Sequence, residues 1–131
     1  MIVVMQILPD LPRILKKQEA SVTTRVLAWF KTNHSKSCAI EIKNTKGNTI
    51  PASALQEHQK LALQDAQSSR GIIHKLSDEA RRKQPFDAFQ VVNVPAYVVA
   101  CFSAHGICLV FNVEDWHGAR WDDEALFKIE L

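Results

Sequence analysis

The sequence predicts an α/β fold of the α+β kind: a single domain over residues 1–131 in which helices flank one mixed β-sheet. Three observations carry this. Apolar residues recur at helical spacing over residues 14–33. The hexapeptide Cys38-Ala-Ile-Glu-Ile-Lys43 alternates in the two-residue period of a strand. From Pro85 onward the chain is β-rich around the nearly continuous apolar run of residues 96–102, which suits a central strand. A hydrophobic content of 47% over 131 residues is enough for one real core. No apolar run approaches the roughly 20 residues of a membrane span. Residues 1–8 are apolar but lack a basic leader and run into Pro9, so no signal peptide is expected. Three cysteines, an odd number without metal-type spacing, predict free thiols and a reducing, cytoplasmic setting. Cys101 and Cys108 could face each other across a hairpin, but buried free thiols are the expectation.

The elements follow in order. Leu15, Val22, Val26 and Trp29 form the stripe of a first helix over residues 14–33, with Leu27 and Phe30 widening it. Glu19 falls in the same series, so one carboxylate is expected to turn toward the core. The strand over residues 38–43 puts Cys38, Ile40 and Ile42 on one face and Ala39, Glu41 and Lys43 on the other. A turn is expected at residues 44–48. Ser53 with Gln56 reads as a capping box opening a second helix, whose buried stripe is Leu55, Gln59, Ala62 and Ala66, with Gly71 as its terminator. Strands are expected at 71–76, 86–92, 96–102 and 107–113, the last two joined by a turn at His105-Gly106. Residues 77–84 read as an exposed basic loop or a single helical turn, and Asp122 as the cap of a short closing helix through Phe127.

Net charge is only +2, yet the charges are segregated. Residues 13–46 carry eight basic residues (Arg13, Lys16, Lys17, Arg25, Lys31, Lys36, Lys43, Lys46) against Glu19 and Glu41. Residues 111–131 carry six acids against Arg120 and Lys128. A basic first third is compatible with a polyanionic ligand on one side, and equally with solvated lysines on a helix face. Glu19, Glu41, Gln59 and Asp87 are all expected to face inward or along the sheet, Asp87 by sharing a strand face with Phe89 and Val91. Burying carboxylates is costly, and converging ones repel, unless a divalent cation neutralises them. Glu41, Asp87 and Glu19 would supply the hard oxygen ligands of Mg²⁺ (or Mn²⁺), with Lys43 beside an attacking water.

These residues resemble a known family. Glu41-Ile-Lys43-Asn-Thr-Lys46, then Ile50-Pro-Ala-Ser-Ala-Leu-Gln-Glu-His58-Gln59, then Leu63 and Gly71-Ile-Ile, look like the core of RecU-type Holliday junction resolvases of the PD-(D/E)XK nuclease superfamily. The resemblance covers about residues 19–76. It implies a restriction-endonuclease-like core and a metal-dependent endonuclease that cuts branched DNA as a homodimer and leaves a 5′-phosphate; the small, single-domain size fits a phage-like or mobile-element enzyme. The resemblance implies that Glu41 and Lys43 are catalytic, that Gln59 supports the site from its helix, and that Glu19 is the first-helix carboxylate many members carry; with Asp87, taken from its place in the sequence as a further catalytic residue, the expected metal set is Asp87, Glu41, Ile42 and Glu19. Lys46, His58, Lys75 and the run Arg81, Arg82, Lys83 would meet nucleic acid. One departure stands out: the family's aspartate on a strand just before Glu-x-Lys is missing, because residues 31–40 contain no acid. Asp87 is expected to replace it from a strand beside the catalytic one.

Two readings from other classes fit the same chain. One is a nucleic-acid-binding protein that keeps the nuclease-like fold without cutting. The other is a protein-interaction or inhibitor domain using the acidic C-terminal segment. Under either, Glu41 and Lys43 form an ordinary solvated ion pair along one strand, of small energetic value.

Overall fold

A computed structural model of the chain describes the backbone of residues 2–5 and residues 21–34, 36–75 and 86–131. It is a mixed α/β fold, as expected. Strand β1 (Ile2–Met5) is followed by helix α1 (Val22–Asn33), strand β2 (Cys38–Thr45) and the short β3 (Thr49–Ile50). Helix α2 (Glu57–Gln67), β4 (Ile72–Lys75), β5 (Ala88–Val91), β6 (Ala96–Phe102), β7 (Ile107–Asn112), β8 (Ala119–Arg120) and β9 (Phe127–Glu130) complete the order. The central sheet runs β1-β2-β6-β7-β9. Within it β2 and β6 are parallel, and every other pairing is antiparallel. Parallel neighbours need a long crossover, and here α2 and the β4–β5 ribbon provide it. Among the described residues no helix is long and apolar enough to cross a membrane.

The alternation in residues 38–43 sorts the sheet into two faces. Cys38 and Ile40 pack with Val26 and Phe30 of α1, together with Tyr97, Val99, Cys101, Cys108, Val110 and Ile129. Ala39 packs on the opposite side with Leu63 and Ala66 of α2, together with Val98, Ala100 and Phe102. All of β6 is buried because it lies between these layers, which is why its sequence is apolar without alternation. Cys101 and Cys108 are cross-strand partners, and all three cysteines are free and buried.

Several expected elements are corrected. Ser21 is extended (φ −61°, ψ 161°) and caps α1 by accepting from Thr24 N, so no continuous helix runs through residues 14–33. The inward position of Glu19, inferred from that helix, loses its basis, and Glu19 itself lies outside the described residues. Helix α2 opens later than expected: residues 52–54 form a 3₁₀ turn, and Gln56, not Ser53, is the N-cap. It also ends earlier, at Gln67 with Ser68 as C-cap. Gly71 instead leads into β4 with φ +71°, where a Cβ would lie 2.1 Å from the carbonyl oxygen of Val91.

At the C-terminal end a strand replaces the expected helix. Asp123 Oδ2 accepts from the backbone N–H of Arg120 at 2.7 Å, and Asp122 Oδ1 accepts from Arg120 Nε at 2.8 Å. These short acids close a turn instead of capping a helix. Phe127, Ile129 and Leu131 then contact one apolar layer in strand alternation. The apolar start, residues 2–5, is a strand paired with β2, too short for alternation to mark it in the sequence.

Candidate active site

Glu41 sits on β2 between Ala39 and Lys43 on the α2 face, with no solvent exposure. It is the one buried charged residue among those described. A lone carboxylate in such a place is expensive unless donors hold it. Two do so at one oxygen: Lys43 Nζ lies 3.2 Å from Glu41 Oε1, and Gln59 Nε2 donates to the same atom at 3.2 Å. Lys43 Nζ also donates to Gln59 Oε1 at 2.9 Å, so Glu41, Lys43 and Gln59 form a closed ring of contacts. Lys43 keeps 18% of its side chain exposed, which puts the ammonium at the mouth of the site and the carboxylate beneath it.

The helix start fixes the third member. Gln59 is the N3 residue of α2, and its Oε1 accepts from the backbone N–H of Gln56 at 3.1 Å, while the Gln56 side chain caps the N3 backbone in return. That bond holds the amide oxygen toward Lys43 and the amide nitrogen toward Glu41. Gln56 was not anticipated as part of the site. Its signal is the Gln-x-x-Gln spacing of a capping box, hidden behind the more conventional Ser53.

The other anticipated residues do not join this ring. Asp87 is not on a strand beside β2: it is exposed in the bend before β5, whose ladder begins at Lys75↔Ala88. The strands flanking β2 are β1 and β6, while β4 and β5 form a separate two-stranded ribbon. Ile42 turns its side chain into the α1 layer. Lys46, His58 and Lys75 are exposed, with no hydrogen bond or ion pair to the ring among the described residues. Glu19, Arg81, Arg82 and Lys83 lie outside the described residues.

Hard-cation sites need several oxygen ligands. Among the described residues no group of three or more His, Cys, Asp or Glu could hold a metal ion. Glu41 is the single carboxylate of the ring, and its Oε1 already takes two donors. The described residues alone therefore do not fit a Mg²⁺ site. What they do form is a held ammonium: among the described residues Lys43 is bound by Glu41 and Gln59, two acceptors for its three N–H donors, and it stays 18% exposed at the mouth of the site.

The three tryptophans serve packing, as anticipated. Trp116 is buried and donates Nε1–H to the carbonyl of Ala52 at 3.0 Å, Trp29 meets Phe30 edge-on, and Trp121 stacks on His105 with centroids 4.4 Å apart. Comparison with models of known families, with curated proteins and with solved structures returns no match.

Proposed function

We propose that this chain is a nuclease of the Glu-x-Lys type that hydrolyses phosphodiester bonds in DNA, with branched junctions as its substrate class. The observation that carries the reading is the meeting of Lys43 and Glu41, from one strand, with Gln59, from a helix turn 16 residues beyond Lys43. An ammonium held by two acceptors and still 18% exposed suits the charge that builds on a phosphate oxygen during hydrolysis. Water would form the new P–O bond and the 3′ oxygen would leave, giving a 5′-phosphate end. Glu41 and Gln59 would hold Lys43 in place through that step. Mg²⁺ or Mn²⁺ is the cofactor the reading calls for, supplying Lewis-acid stabilisation when bound. It requires a further carboxylate ligand beyond Glu41. Paired cuts at a junction call for a homodimer.

A second reading, a DNA-binding protein that does not cut, is favoured by the direct engagement of Glu41 with Lys43 and the single carboxylate of the described ring. One experiment separates the two. The protein is incubated with junction, flap and linear DNA in Mg²⁺ and in Mn²⁺, alongside Glu41→Ala and Lys43→Ala. Cleavage that both variants abolish supports the nuclease. Salt-sensitive binding with no cut in either metal supports the second reading and sinks the first.

A further inference from the structure

Strand β9 (Phe127–Glu130) has one neighbour in the sheet, β7, and among the described residues no strand pairs with its other edge. Such edges pair readily with another strand. The pattern of this edge says what it would pair with. Leu131 N–H donates to the carbonyl of Gly106 at 2.8 Å, in register with Ile107↔Glu130 and Cys108↔Ile129. Hydrogen-bonded and non-bonded pairs alternate along an antiparallel ladder. Residues 127, 129 and 131 therefore aim their backbone groups at β7, and Lys128 and Glu130 aim theirs outward. Both of these side chains are exposed, on the face opposite the α1 layer, whereas Ile129 is buried and Phe127 and Leu131 are half-buried in that layer beside Trp29.

We propose that a second copy of this chain adds to the edge of β9, antiparallel and centred on a two-fold axis at Ile129. That register sets Lys128 opposite the second copy's Glu130, and Glu130 opposite its Lys128. Both pairings are then hydrogen-bonded pairs made from the outward-facing backbone groups, and Ile129 against Ile129 is the non-bonded pair at the centre. The same operation brings Phe127 beside the second copy's Leu131 at both ends, covering the apolar rim. Backbone direction, charge and apolar surface thus all satisfy one symmetric register. A register shifted by one residue would turn outward-facing backbone groups against groups that point away. A register centred on Lys128 or Glu130 would put like charges together. The result is a sheet continuous across two copies, an isologous interface. It deepens the homodimer part of the proposed function and rests on that reading for its purpose, not for its geometry.

The test is the association state of the full chain without DNA, by sedimentation across a range of concentrations. The wild type is expected to dimerise. K128E and E130K, at exposed positions, each set like charges together twice and should raise the dimer dissociation constant about tenfold or more. The double exchange K128E/E130K restores the opposite charges and should recover dimerisation. Mixing the K128E and E130K proteins should produce a heterodimer that neither forms with itself, because both cross-strand pairs are then complementary. A wild type that stays monomeric, a dimer indifferent to the single reversals, or single losses that neither the double exchange nor mixing recovers would each overturn the proposal. Because no substrate is involved, any of these results leaves the cleavage reading to its own assay, and failure of cleavage leaves this interface untouched.

Discussion

The energetic coupling between Glu41 and Lys43 separates a buried functional ring from an ordinary strand ion pair. The perturbation is a double-mutant cycle with Glu41→Gln and Lys43→Met, which keep side-chain length while removing charge. At 3.2 Å the two charges attract by about 5 kcal/mol at an effective dielectric near 20. Lys43 is 18% exposed, so water screens part of this, and a coupling of about 1–3 kcal/mol is expected. Lys43→Met alone should cost about 2–4 kcal/mol, since it also removes the bond to Gln59 Oε1 and leaves a fully buried carboxylate with one donor fewer at Oε1. The double variant should be more stable than the sum of the single losses predicts. Urea unfolding of all four proteins at one pH gives the coupling directly. A value within about 0.5 kcal/mol of zero would place the pair with solvated surface bridges and refute the argument that the ring is a fixed, desolvated unit.

Alkaline pH should destabilise the fold through its thiols. Burial raises the Cys38 thiol from 9.0 to about 12, and the hydrogen bond with Cys108, then burial, raises Cys101 as well. The folded thiols keep their protons after those of the unfolded chain have gone, so this stability is complete below about pH 9 and is lost as pH rises from there toward 12. Each thiol should contribute about 1.4 kcal/mol per pH unit in that window, and Cys38→Ala should flatten the fall in unfolding free energy by one such share. Equal slopes in wild type and variant would contradict this. Gly71→Ala should cost about 2–4 kcal/mol, since φ is +71° and the new methyl meets the Val91 carbonyl, whereas Gly106→Ala, at φ +64° with open space around it, should cost about 1 kcal/mol. Equal melting-temperature losses in the two would show that backbone conformation alone, not the close approach, sets the price at Gly71.

How far the sequence was legible depended on whether a signal was local. The strand over residues 38–43, the apolar run of 96–102 and the turn at Gly106 were all read in their places, because alternation, continuous burial and turn chemistry act between near neighbours. Helix boundaries were harder. Ser21 interrupts a stripe that looked continuous, and Gln56 takes the cap that Ser53 seemed to offer, because caps are chosen by which backbone donors the fold leaves open. The four-residue strands at the two ends of the chain carry too few residues for periodicity to stand out.

The sequence by itself determined that Glu41 and Lys43 share a face, since side-chain direction on a strand follows from backbone geometry alone. It also put Gln59 on the inward stripe of its helix. Only the tertiary structure decided that this helix docks on the Glu41 face of β2, closing the ring at hydrogen-bonding distance and burying the carboxylate completely. It likewise set Asp87 in the bend before β5, which belongs to a ribbon apart from the central sheet. Strand neighbours are chosen by long-range pairing and by packing of the two apolar layers, and neither is written in any local window of residues.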